Sequence, residues 1–411
     1  MSAHEKTSRF FGILVAIAVV DLWVLPMRSS FWLDETATFW IVKDGVANLL
    51  HRSLDWAGQS PLYYLTAWLA LVTGGRHEWV LRLPSLIALM VAAWLLYRLA
   101  QHLFDPASAR LAVLSFACSG AVAFAASDAR PYALGLCLLI GSAWLLVRWL
   151  ETGSARYAAG AMVLSVLTIY DHYLFGPVLV VLAFYTVWRA VHEGKVRIWG
   201  LLAVGIGAGV LLLPLVAQLR HFYQDRAVHS FSGAPLLSDL FTSIAPPVLA
   251  GSLTVGLLLA QLFRPEQDRE PAPRRDTVFL AAGWALAPPL LLFAISVLSP
   301  SRLFVPRYYI SCIPGQCCSP AGWPVRWRPD RASALWRRFW WSHLFFVSGL
   351  RTTVTRTGPA PCGGSAPNPA ATCPYWWPAA SSKQPIPKRS RIPGFATCSS
   401  PRSRCILWAG S

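Results

Sequence analysis

The chain has 411 residues, of which 55% are hydrophobic and only 13% are charged. Soluble domains carry about 25% charged residues, so this composition excludes a single soluble core and predicts an all-α, polytopic membrane protein. The formal net charge of +17 suggests nucleic acid as a partner, but residues 316–411 hold 13 Lys or Arg and only one acid. The rest of the chain has a net charge of only +5, and no nucleic-acid partner is predicted.

Residues 10–26 predict the first membrane span. This apolar run follows Lys6 and Arg9, but it is long, contains Asp21 and lacks the small-residue cleavage site of a secretory signal. We therefore expect an uncleaved span with the N-terminus in the cytoplasm.

Further apolar runs predict a bundle of about nine to ten spans, because crossing a bilayer takes about 17 or more apolar residues. The runs are 83–103, 111–127, 132–150, 157–170, 174–191, 198–219, 245–263 and 278–298, and another begins near residue 308. The run 157–170 is short by this rule and needs flanking residues. The segment 62–73 is too short to cross and is expected to lie along the membrane surface.

The connection of about residues 28–81 is long, and loops of that length are typically functional or disordered. It begins with Phe31-Trp32-Leu33-Asp34-Glu35, which places two carboxylates at the rim of the membrane. Residues 36–50 predict an amphipathic helix that, with 62–73, would form a floor beneath an acceptor site; ordinary surface anchoring is the alternative. The acid pair is either solvated by water or catalytic, and we favour catalysis because aromatic residues hold it at the interface.

Laying 62–73 flat places the basic loops on one side, which the positive-inside rule identifies as the cytoplasmic side. The other side then receives the motifs that carry candidate chemistry. We therefore predict a multi-pass protein of the plasma (inner) membrane with its active site on the outer face.

Three arginines and one histidine near the outer ends of spans are candidate phosphate ligands. A planar guanidinium can donate two hydrogen bonds to a phosphate, and Arg82, Arg130 and Arg307 are so placed; for any one of them, snorkelling to the surface is the alternative. His172 can be a general base, a metal ligand, a phosphate donor or a structural residue. No nucleotide-binding loop, nucleophile elbow or metal-ligand motif is present, and neither a metal site nor a cofactor is predicted.

Residues 316–411 are predicted to be a second, disordered region, a basic tail rich in Pro, Arg, Trp and Cys. At Pro314-Gly315 an apolar run that has just begun stops. Natural disordered tails are low in Trp and Cys, whereas this one contains eight Trp. We interpret the tail as out-of-frame translation after a frameshift near codon 315, with a genuine basic tail as the alternative. An apolar continuation in the neighbouring reading frame would separate the two.

From residue 10 to about residue 313 the chain resembles the GT-C family of integral-membrane glycosyltransferases, in the branch of protein O-mannosyltransferases and the lipid A aminoarabinose transferase. The resemblance rests on an ordered set of motifs. They are Trp32-Leu33-Asp34-Glu35, Ser60-Pro61-Leu62-Tyr63-Tyr64, Leu81-Arg82-Leu83-Pro84-Ser85, Ala129-Arg130-Pro131-Tyr132 and His172-Tyr173. It implies a GT-C core in residues 1–315 and inverting transfer of a sugar from a polyprenyl-phosphate donor to a lipid, glycan or protein acceptor.

The resemblance also implies roles for individual residues. Asp34 corresponds to the base that activates the acceptor hydroxyl, with Glu35 positioning a substrate. The donor phosphate would be bound by Arg82, Arg130, Arg307 and His172. Substrate-binding candidates are Gln59, Tyr63, Tyr132 and Tyr173. Relatives often carry His where Gln59 stands, so a divalent metal is not supported. The alternatives are a polyprenyl-lipid or polysaccharide transporter or polymerase, and an inactive truncated remnant.

Overall fold

The computed structural model describes residues 3–55, 61–224, 233–244, 274–299 and 302–318. Within these ranges the secondary structure is entirely helical, which confirms the predicted fold class. The chain divides into two compact units, residues 1–335 and 336–411, and every described residue belongs to the first.

The described part of the chain contains fifteen α-helices. They are α1 (Ala3–Ala18), α2 (Leu33–Val42), α3 (Val46–Asp55), α4 (Pro61–Gly74), α5 (Glu78–Leu103), α6 (Pro106–Cys118), α7 (Gly120–Ala126), α8 (Tyr132–Thr152), α9 (Ala155–Asp171), α10 (Gly176–Glu193), α11 (Ile198–Leu212), α12 (Leu215–Gln224), α13 (Leu237–Ile244), α14 (Arg275–Leu298) and α15 (Ile313–Cys318). A π-helical turn (Val19–Val24) and a 3-10 turn (Leu25–Arg28) extend α1, and further 3-10 turns are Tyr173–Phe175 and Ile310–Cys312.

Among the described residues, five helical segments are long and apolar enough to cross a membrane, and α6 with α7 makes a sixth if the bent pair counts as one span. The five are Ser8–Arg28, Glu78–Leu103, Tyr132–Thr152, Tyr173–Glu193 and Arg275–Leu298. A polytopic membrane protein is therefore confirmed. The predicted total of nine to ten is not reached within the described ranges, because α9 and α11 have only 17 and 15 residues and the predicted span 245–263 lies outside those ranges.

Three helices that we expected to be continuous are broken. The run 111–127 bends by 64° between α6 and α7, where Ser119 has an extended backbone. The run 198–219 divides at Pro214, which has no N–H to continue the helical ladder. Residues 36–50 divide between α2 and α3 at Gly45, whose φ of +92° is readily adopted only by glycine.

The main core lies where α8 packs lengthwise against α5 and α9, with α10 and α14 paired beside them. A second, smaller apolar cluster joins α2, α3 and α4 to the start of α5 and to the turn before α8. Its buried members include Ile41, Leu49, Tyr64, Leu81 and Ala129. This second cluster packs the end of α2 against α3, α4, the first turn of α5 and the turn before α8, and so assembles one end of the bundle.

The start of the predicted tail remains part of the packed core. Gln316, Cys317 and Cys318 are buried and continue α15, and the tail beyond residue 318 lies outside the described ranges. α15 approaches α14 so closely at Gly315 that an added Cβ would lie 2.5 Å from the backbone nitrogen of Ala285. The helix can therefore pack there only because residue 315 has no side chain.

Candidate active site

The two adjacent acids at the start of α2 point in different directions. Trp32 is the N-cap of this helix, and Glu35 accepts a hydrogen bond from its backbone N–H at 3.3 Å. Successive residues of an α-helix are rotated by about 100°, so Asp34 and Glu35 cannot face the same site. The side chain of Asp34 is 26% exposed, whereas that of Glu35 is 0% exposed.

Glu35 and Arg82 form a buried ion pair. Nε and Nη2 of Arg82 donate to the two carboxylate oxygens of Glu35 at 2.7 and 2.5 Å. The remaining donors of the guanidinium reach backbone carbonyls of the segment that leads into α2: Met27 at 2.8 Å, Ser29 at 2.5 Å and Ser30 at 3.3 Å. All five N–H groups of Arg82 are occupied and its side chain is 1% exposed. The structure therefore gives Arg82 no free donor for a phosphate and Glu35 no access to a substrate, contrary to our expectations for both.

The turn before α8 is tied to the start of α2. The backbone N–H of Ala129 donates to Glu35 at 2.9 Å, and the indole N–H of Trp32 donates to Asp128 at 3.0 Å. Ser85 of α5 donates to the carbonyl of Asp128 at 2.7 Å. These contacts hold the Asp34 end of α2 and the turn that carries Arg130 in one fixed arrangement.

Arg307 pairs with Asp34. Its Nη1 donates to Oδ2 of Asp34 at 2.9 Å, and both side chains are partly exposed, at 28% and 26%. The guanidinium lies over the rings of Trp32 and Tyr308, at 5.9 and 5.4 Å from the ring centroids. Residues 34 and 307 are thus brought together from opposite ends of the described chain.

Arg130 is a buried cation beside the same acid. Burial lowers its pKa, but nearby acidic groups raise it by more, so the side chain stays charged. Those groups are Tyr64, Tyr132, Asp34 and Asp128. Arg130 and Arg307 therefore place two positive charges close to the partly exposed carboxylate of Asp34.

His172 also lies in this region, as a neutral group. Its ring is 5.3 Å from the ring of Tyr132 and 6.3 Å from that of Tyr308. Burial, followed by the charges of Arg130 and Arg307, lowers the pKa of His172 to about 3. Its Nδ1 accepts a hydrogen bond from the backbone N–H of Leu174 at 3.3 Å, so the single proton of the neutral ring belongs on Nε2. His172 can donate one hydrogen bond but is a poor general base.

Asp128 is a residue of this site that we did not select from the sequence, although it immediately precedes the motif Ala129-Arg130-Pro131-Tyr132. Burial raises its pKa to about 7, against the opposing effects of the hydrogen bond from Trp32 and the charge of Arg130. Its Oδ2 is buried and has no hydrogen-bond partner among the described residues. Tyr64 and Tyr308 were likewise not selected, yet they lie beside Arg130 and Arg307.

Of the other predicted substrate-binding residues, Tyr132 lies in the site beside His172, and two lie elsewhere. The hydroxyl of Tyr63 is buried and bonds Ser85 at 3.0 Å, and that of Tyr173 donates to Gln218 at 2.6 Å. Both hydroxyl groups are therefore engaged in hydrogen bonds within the fold. Gln59 lies outside the described residues. Over the ranges that the structure describes, no group of three or more His, Cys, Asp or Glu side chains is arranged to hold a metal ion.

Comparison with known proteins finds a matching family model and several similar solved structures. Residues 58–216 match the family model of dolichyl-phosphate-mannose-protein mannosyltransferase. The structure is similar to ArnT from Cupriavidus metallidurans bound to undecaprenyl phosphate, with a TM-score of 0.54 and 17% identity over 80% of this chain and 62% of that one. For apo ArnT from the same organism, the TM-score is 0.53 and the identity 18%, over 86% and 66%. No curated protein sequence matches.

These matches establish the fold, whereas the activity and substrates of this chain remain matters for proposal. The chain spans less than two thirds of the length of either ArnT structure. The matched family segment includes Arg82, Arg130 and His172 but not Asp34 or Arg307. The family model therefore does not bear on the contact between Asp34 and Arg307.

Proposed function

We propose that this chain, which has the GT-C membrane fold that it shares with ArnT, is a glycosyltransferase that takes a sugar from a polyprenyl-phosphate donor. The observation that carries the proposal is the pairing of Asp34 with Arg307 beside the buried cation Arg130. Transfer from a lipid phosphate requires an acid to receive the acceptor proton and cations to stabilise the leaving phosphate. Both are found here within one small cluster at one end of the bundle.

In the proposed reaction, the oxygen of the acceptor hydroxyl bonds to the anomeric carbon of the sugar while the bond from that carbon to the phosphate oxygen breaks. The electron pair of the broken bond leaves with polyprenyl phosphate. The hydroxyl proton passes to Asp34 and from there to water. Attack on the side opposite the leaving group inverts the anomeric configuration.

Arg130 and Arg307 would receive the leaving phosphate. Charge-assisted hydrogen bonds from guanidinium groups are strong, and a site sheltered from water strengthens them further. His172 would add one neutral hydrogen bond through Nε2, and Tyr132 stands beside it. Because phosphate is already a good leaving group, no strong general acid is required.

Glu35 and Arg82 would act as the support of this site instead of binding a substrate. Their ion pair joins the end of the first span, the start of α2 and the turn before α8. We propose the outer face of the plasma membrane as the location of the site, with the N-terminus in the cytoplasm, because the predicted inner loops are basic. The acceptor would be a lipid, a glycan or a protein.

Sugar transfer by the full chain tests the proposal. Membranes containing the protein are supplied with radiolabelled polyprenyl-phosphate sugars, and transfer of label is measured. Loss of a general base typically lowers a rate by about 10²–10⁴-fold, so Asp34→Asn is expected to reduce transfer at least about 100-fold. Asp44→Asn is the matched control, because Asp44 also pairs with an arginine, Arg52 at 2.7 Å, but lies at the exposed junction of α2 and α3.

Two results would contradict the proposal. Transfer that persists undiminished in Asp34→Asn would refute the assigned base. Absence of transfer from every donor, together with absence of undecaprenyl phosphate binding, would refute the glycosyltransferase function itself.

A further inference from the structure

The pair with Arg307 restricts the ability of Asp34 to act as a base. The carboxylate of Asp34 accepts a hydrogen bond from Arg307 through Oδ2. In this arrangement the guanidinium of Arg307 occupies Oδ2 of Asp34, so this oxygen is not free to accept a proton from an acceptor.

Arg307 is held much more loosely than Arg82. It lies in the non-helical segment between α14 and the 3-10 turn at Ile310–Cys312, and it is partly exposed. Its Nε is buried and makes no hydrogen bond with any described residue. Arg82, in contrast, uses every N–H group and lies within a helix. Arg307 also contacts the neighbouring Tyr308, and it can exchange Asp34 for another anion while keeping that contact.

The surroundings of Arg307 favour a second anion. The acidic groups that act on it are Tyr132, Tyr308 and Asp34, and of these only Asp34 is a carboxyl group. Arg130 lies within electrostatic range of the same Asp34 and adds a second positive charge. Two guanidinium groups thus lie close to Asp34, and Asp128, whose pKa burial raises to about 7, is the other carboxyl group near Arg130. A phosphate would supply a second anionic partner for Arg307.

We propose that the donor phosphate competes with Asp34 for Arg307, so that binding of the donor draws the guanidinium away and releases the carboxylate to act as a base. The inference rests on the proposed function, and it adds an order to the reaction. The polyprenyl-phosphate donor binds first, and the site becomes competent for the acceptor only afterwards. An acceptor that binds before the donor meets an Asp34 that is still paired with Arg307. The site is therefore not activated until a donor is bound.

Chemical labelling of Asp34 tests this exchange without requiring turnover. The full chain in lipid nanodiscs is treated with a carbodiimide and glycine ethyl ester, and modification of Asp34 is quantified by peptide mass spectrometry. Carbodiimides react with carboxyl groups that they can reach, so release from Arg307 makes Asp34 more accessible to the reagent. In the wild-type protein, saturation with undecaprenyl phosphate is expected to increase labelling of Asp34 several-fold.

Two variants test whether the change in labelling of Asp34 depends on Arg307. In Arg307→Gln, labelling of Asp34 is expected to be high without ligand and unchanged when undecaprenyl phosphate is added. Arg98→Gln is the matched control, because Arg98 also lies over aromatic rings, those of Trp94 and Trp144, but is far along α5 from the site. It is expected to behave as the wild type does.

Binding of radiolabelled undecaprenyl phosphate is measured in parallel. If the ligand binds to the wild type but labelling of Asp34 stays constant or falls, the exchange is refuted and the proposed function is not. If labelling in ligand-free Arg307→Gln equals that of the wild type, the pair does not shield Asp34 and the inference fails. If the ligand does not bind at all, the exchange is refuted, and the proposed function is refuted with it only if transfer from every donor is also absent.

Discussion

Replacement of Arg82 by glutamine is expected to destabilise the fold far more than the same replacement of Arg307. Arg82→Gln leaves the Glu35 carboxylate at 0% exposure without its cation. Removing one partner of a buried ion pair costs about 3–5 kcal/mol, and the carbonyls of Met27, Ser29 and Ser30 lose donors worth about 1 kcal/mol each. The Asp34–Arg307 pair is partly exposed, and such pairs contribute only about 0–1 kcal/mol.

The free energy of unfolding of the purified chain in mixed micelles, followed by circular dichroism during a denaturant titration, measures both effects. A loss of about 3–5 kcal/mol or more is expected for Arg82→Gln and of less than about 1 kcal/mol for Arg307→Gln. The double variant Glu35→Gln with Arg82→Gln buries no charge and is expected to recover part of the loss. If Arg82→Gln came within about 1 kcal/mol of Arg307→Gln, the assignment of Arg82 to the support of the site would be wrong.

Three further predictions concern single residues. Burial raises the pKa of Asp128 from 3.8 to about 7 in the folded state. Between pH 4 and 7 the unfolded state therefore loses this proton while the folded state keeps it, and the free energy of unfolding of the wild type should fall by up to about 1.4 kcal/mol per pH unit. Asp128→Asn should remove this pH dependence in thermal unfolding scans. A wild-type stability that does not change between pH 4 and 7 would contradict the prediction. Because the pKa of His172 is lowered to about 3, its ring nitrogen NMR signals, assigned by their loss in His172→Asn, should show one neutral tautomer between pH 5 and 8. Gly315→Ala should cost about 1–3 kcal/mol by overpacking, whereas Gly209→Ala, with nothing within 4 Å, should gain up to about 1 kcal/mol from helix propensity.

The helical membrane class and most of the helices could be predicted from the sequence, because apolar length and periodicity are local properties. The helices at 78–103, 132–152 and 275–298 contain the corresponding apolar runs. The errors fell where a single residue interrupts a run. At Gly45 and Pro214, for example, the backbone breaks a helix that hydropathy alone would continue.

The sequence by itself also determined which residue types meet at the site, since the motifs around residues 34, 130, 172 and 307 all supply groups to it. It could not assign their roles. Asp34 and Glu35 are neighbours of similar chemistry, and Arg82 and Arg307 each lie near the end of an apolar run. Only the tertiary structure decided that Glu35 and Arg82 form the buried support while Asp34 and Arg307 meet at the partly exposed site. The physical reason is that a carboxylate or a guanidinium acquires its role from what surrounds it, and in this chain the partners lie 47 and 273 residues apart.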